Sequence, residues 1–80
     1  MKVRYVGESF GLGVVGLTDQ KVYECIGVEY DLLRIIDDED EDYLYSSINP
    51  APLDRSSPGG RWEIVEDDEN GTLFRLLGRK

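Results

Sequence analysis

The chain has 80 residues, with 17 acids, nine bases and no histidine, for a formal net charge of −8. This length makes one domain with a single interior layer of side chains and little volume for a deep substrate pocket. The charge excludes nucleic acid and anionic membrane as expected partners, because both demand basic patches. No window approaches the roughly 20 apolar residues of a membrane-crossing helix, and the single cysteine, Cys25, suits a reducing compartment. The expectation is a soluble, cytoplasmic monomer.

Lys2–Val6 alternates, with Val3 and Tyr5 on one face, as a strand covered on one side does. Gly7–Gln20 has no sustained period and reads as a long first loop. Lys21–Glu29 is rich in β-branched and aromatic residues. It is read as a strand with Val22, Glu24, Ile26 and Val28 on one face and Gly27 marking a bend or bulge. Tyr30-Asp31 links tightly into a third strand, Leu32–Ile36. Six acids follow, Asp37–Asp42, and then Tyr43–Tyr45 returns as a fourth strand. The six acids are read as the solvated tip of an antiparallel hairpin.

Ser46–Gly60 carries three prolines and is a loop, with a 3₁₀ turn over Pro50–Asp54. Arg61–Glu66 is a fifth strand with Trp62 and Ile64 on one face. Asn70-Gly71 is a reverse-turn pair that folds Thr72–Leu77 back as a sixth strand or leaves it a loose tail. No stretch keeps a helical period over ten residues. These elements predict an all-β fold. It is a small SH3-like barrel of five core strands over residues 1–66, with residues 67–80 a hairpin extension or flexible tail. The expected core is Val3, Tyr5, Val22, Ile26, Leu33, Ile35, Leu44, Ile64 and Trp62. Tyr43 and Tyr45 share a face and are expected outside, with Leu44 inward.

The strings Val3–Ser9, Leu17–Glu24, Arg34–Asp38, Asp42–Tyr45 and Trp62–Glu66 resemble a group of small uncharacterised bacterial and phage-associated proteins. That resemblance implies an SH3-like barrel and no particular activity. Against the group's pattern, Asp54–Arg61 is an insertion and residues 67–80 an extension.

Gly11-Leu12-Gly13-Val14-Val15-Gly16 matches the dinucleotide string G-x-G-x-x-G, but only Leu17–Gln20 separate it from the next strand. No helix fits there to hold a pyrophosphate, so no cofactor is expected. With no histidine there is no imidazole base, and Cys25 reads as an inert buried thiol. The chain is therefore read as non-enzymatic. The acidic tip fails the EF-hand pattern: counting from Asp38, the sixth position is Tyr43 and the twelfth Asn49. The leading reading is a protein-interaction module. Phe10 and Leu12 of the first loop would meet a partner beside Tyr43 and Tyr45, while Asp38, Asp40 and Asp42 select a basic protein by steering. Two alternatives are an acidic decoy that inhibits a nucleic-acid-binding protein and a weak calcium-binding module.

Overall fold

Short alternating runs form β1 (Lys2–Gly7), β2 (Val22–Glu29), β3 (Leu32–Ile36), β4 (Asp42–Ser46) and β5 (Gly60–Glu66). The structure is a computed structural model that describes residues 1–11, 16–51 and 57–78. The five strands make one antiparallel sheet in the order β4-β3-β2-β1-β5. The two edge strands, β4 and β5, share no ladder among the described residues, so the sheet is open. They are joined by one side chain: the Trp62 indole N–H donates to the Ser46 carbonyl at 3.0 Å.

β2 bends the sheet. Its first half pairs with β1, where Val3 lies opposite Tyr23, and its second half pairs with β3, where Val28 lies opposite Leu33. Between Cys25 and Gly27 the register slips by one, leaving Ile26 as the extra residue of a bulge. The bulge lets Tyr23, Cys25 and Val28 all turn inward although their numbers do not share one parity. The glycine expected to mark a bend sits at this point.

The same bulge corrects the expected core. Val22 and Ile26 are exposed on the outer face, and Tyr23 and Cys25 are buried in their place. In β4 the pairing puts Tyr43 opposite Ile35 and Tyr45 opposite Leu33, both core residues. Tyr45 is therefore buried and Leu44 faces out, the reverse of the expected assignment. Ile64 shares the face of Trp62 but lies toward the open end of β5 and stays partly exposed. The core consists of Val3, Tyr5, Leu17, Tyr23, Cys25, Leu33, Ile35, Tyr45, Trp62 and Leu73. Trp62 is its hub, with the rings of Tyr5, Tyr23 and Tyr45 packed edge-on at 5.8, 6.4 and 6.1 Å. β1 and β5 cross closely at Gly7 and Gly60. A Cβ at Gly60 would lie 2.1 Å from the Val6 carbonyl oxygen, so only glycine fits there.

Thr72–Leu77 is neither a sixth strand nor a tail but a short helix, α1. The Asn70-Gly71 turn exists, with Gly71 at φ 70°, but it leads into the helix rather than back along β5. Two acids of the run Glu66-Asp67-Asp68-Glu69 hold the helix start. Asp67 accepts from the amides of Leu73 and Phe74 at 2.9 Å each, and Asp68 accepts from the amide and hydroxyl of Thr72. Such carboxylates satisfy helical N–H groups that have no partner within the helix. Leu73 is fully buried against the sheet. Residues 67–78 are thus part of the domain's packing. Pro52–Asp54 of the expected Pro50–Asp54 turn, and the first three residues of the Asp54–Arg61 insertion, lie outside the described residues. Among the described residues no helix is long and apolar enough to cross a membrane.

Candidate functional site

Extending the alternation of β3 past Ile35 by two puts Asp37 on the core face, and that is where it lies. Asp37 is 5% exposed, so the acidic turn is not solvated throughout, as the sequence suggested. One carboxylate oxygen accepts from the Tyr45 hydroxyl at 2.9 Å and the other from the Glu39 amide at 2.9 Å. A buried carboxylate survives only when bonded in this way. The Asp37 carbonyl also accepts from the Asp40 amide at 2.9 Å, closing the turn, and Asp40 takes the left-handed conformation at φ 61°. Burial pushes the Tyr45 hydroxyl's pKa far up, and the Asp37 carboxylate adds to this, so Tyr45 remains a proton donor.

Asp38 ties the turn to the end of the first loop. Its carboxylate accepts from Lys21 Nζ at 2.7 Å, Tyr23 Oη at 2.8 Å and Thr18 Oγ1 at 2.7 Å. Its amide donates to the Gly16 carbonyl at 3.1 Å. The Lys21 ammonium also stands 5.3 Å from the Tyr23 ring centre, within cation–π range. Partial burial works against the Asp38 charge, but the three donors, led by Lys21, prevail and hold its pKa below the usual carboxylate range. Burial raises the Tyr23 pKa strongly.

The structure therefore separates the proposed contact residues. Phe10 is half-buried: its backbone forms a two-bond bridge with Leu17, and its ring packs edge-on to Tyr5 at 5.9 Å. Leu12 lies outside the described residues, as does most of the glycine string. Tyr45 is interior and cannot meet a partner. Tyr43, at the rim of the inner face, is 37% exposed. Asp38 is engaged internally, and Asp42 pairs with Arg34 at 2.9 Å on the outer face, where Arg34 also binds Glu29. Of the three acids named from the sequence, Asp40 alone is exposed and unengaged among the described residues. Glu39 and Glu41 join it. Thr18, Lys21 and Tyr23 were missed, because a carboxylate's donors come from a segment distant in sequence. Asp37 was legible by counting in twos along β3.

No group of three or more carboxylate or thiol side chains among the described residues is arranged to hold a metal ion. A shallow groove of about 320 Å³ is lined by Val28, Tyr30, Thr72, Arg75 and Leu76. Cys25 is buried, its thiol donating to the Gly27 carbonyl at 3.3 Å, and burial raises its pKa. It is a poor nucleophile in that state.

The depressed carboxyls fix the sign of the pH response. Asp38, Asp67 and Asp68 all have folded-state pKa values below the ordinary one; hydrogen bonds from Leu73, Phe74 and Asp68 amides outweigh burial at Asp67, and the Thr72 hydroxyl leads at Asp68. The folded state then binds fewer protons than the unfolded state near these values. Their stabilisation is complete above the unfolded pKa of about 4 and drains away as pH falls through the depressed values. Thermal midpoints are expected to be flat above about pH 5 and to fall below about pH 4. The double variant Asp67→Asn, Asp68→Asn should flatten that fall in a circular dichroism series.

Comparison with family models, curated proteins and solved structures returned no match.

Proposed function

We propose that this chain is a non-enzymatic, monomeric interaction module on an SH3-like plan, which binds a cationic protein partner through its acidic turn. The strand order, with β1 between β2 and β5, supports the plan, as do the bent β2 shared by two half-sheets and the Trp62–Ser46 bond between the edges. The binding reading is carried by one observation. Asp37 and Asp38 spend their charge inside the protein and so fix the turn, while the carboxylates of Glu39, Asp40 and Glu41 stand exposed with no partner among the described residues. Anchored carboxylates lose less conformational freedom on binding than mobile ones do.

A lysine-rich peptide titrated into the protein tests this. Glu39→Gln, Asp40→Asn and Glu41→Gln together should weaken binding by roughly tenfold or more, and raising the salt to physiological strength should weaken the parent similarly, as the Debye length shortens to about 8 Å. Tyr43→Ala separates two versions of the reading. A module that also uses the aromatic rim should lose affinity. A decoy that occupies another protein's nucleic-acid groove, favoured by the concentration of charge in one fixed turn, should not. Unchanged affinity in the triple variant would overturn both.

A further inference from the structure

Among the described residues, β4 is the edge of the sheet that no other element covers, and the ladder defines which of its backbone groups face outward. The Asp37 amide donates to the Glu41 carbonyl and the Ser47 amide to the Asp31 carbonyl. Both are hydrogen-bonded pairs in the register that places Ile36 opposite Asp42 and Leu32 opposite Ser46. Because antiparallel pairs alternate, Glu41, Tyr43, Tyr45 and Ser47 bond to β3, whereas Asp42, Leu44 and Ser46 turn their N–H and C=O groups outward. Ser46 confirms the parity, since its carbonyl accepts the Trp62 indole proton. Asp42 and Leu44 have no backbone partner outward among the described residues.

Edge strands are usually blunted by proline, lysine or a bulge. The Asp42–Ser46 strand contains none of these, and its register with β3 runs without a shift. The other edge is protected: α1 packs on β5, and the register of β5 with β1 is interrupted at Lys2/Val3. What guards β4 is charge. Glu39, Asp40, Glu41 and Asp42 stand at its start, so a second copy, itself at net charge −8, is repelled.

We propose that β4 is a docking edge for an extended, cationic segment of a partner protein. The segment adds as a strand along Asp42 and Leu44, with basic side chains beside the acidic turn. This rests on the binding reading above and specifies its mode. Backbone bonds would supply register, and the charge match would exclude like edges.

The probe is a short peptide of alternating lysine and valine, with a second version N-methylated at every other amide so that it cannot form a ladder. Strand addition predicts slowed exchange of the Asp42 and Leu44 amide protons in NMR and a loss of roughly tenfold or more in affinity for the methylated peptide. Leu44→Pro should stay folded, because its N–H faces away from β3, yet lose the same affinity. Equal binding of the two peptides, with shifts confined to Glu39–Glu41, would overturn strand addition and leave the cationic-partner reading standing. If neither peptide binds at low salt, both readings are overturned. Concentration-dependent dimers with Leu44 protected in the absence of peptide would overturn the cationic occupant in favour of a second copy.

Discussion

Leu73→Ala is expected to remove about 2–5 kcal/mol of stability, the range for truncating a fully buried leucine. A domain of this length has only about 4–12 kcal/mol in total, so the midpoint of thermal unfolding should drop by at least about 10 °C. Leu73 sits on the first turn of α1, fully buried, and belongs to the same cluster as Tyr5, Leu33 and Trp62. Its neighbour provides the control. Phe74 is 67% exposed, and Phe74→Ala should change stability by no more than about 0.5 kcal/mol. A midpoint for Leu73→Ala within a degree or two of the parent would mean that α1 does not seal the core.

Tyr45→Phe is the second large effect. The change deletes one oxygen and keeps the ring that packs on Trp62, so the cavity contribution is small. What remains is a buried Asp37 carboxylate with one of its two donors gone. Hydrogen bonds to charged groups contribute about 1.5–3 kcal/mol, and a buried ion left short of donors sits at the upper end. Tyr43→Phe, two residues away on the rim, should be near neutral, as no hydrogen bond involves its hydroxyl among the described residues. The double variant Asp37→Ala, Tyr45→Phe separates the causes. If the stranded charge dominates, the double variant will be less destabilised than the sum of the singles. Additive losses would instead locate the cost in packing.

The contrast between these tyrosines shows what was readable in the chain. All five strands were legible to within a residue or two at their ends, because alternation and turn residues fix them locally. Their faces were not. Cysteine buries as readily as valine, tyrosine is intermediate, and on an open sheet valine, isoleucine and leucine can remain half-exposed. Thus Val22, Ile26 and Leu44 competed on equal terms with Tyr23, Cys25 and Tyr45 until the bulge at Ile26 and the opposing strands decided between them. Helix α1 escaped notice because six residues are too few to show a period. Its signal was Asp67 and Asp68 just ahead of an apolar run. The site divided in the same way. The acidic turn was visible as a run and the inward place of Asp37 follows from the alternation of β3, but that of Asp38 depended on Thr18, Lys21 and Tyr23 arriving from elsewhere.

Trp62 is the one tryptophan in the chain, and its surroundings make the protein its own optical reporter. Tyr5, Tyr23 and Tyr45 all lie within 7 Å of its ring centre, close enough to hand excitation energy to the indole. Light absorbed by the tyrosines should therefore emerge as tryptophan emission, blue-shifted by the dry surroundings, and both signatures should vanish together on unfolding. The indole N–H also bridges the two edges of the sheet. A strand settling beside Leu44 would disturb that bridge, and the colour and intensity of a single fluorophore would register the event without any added label.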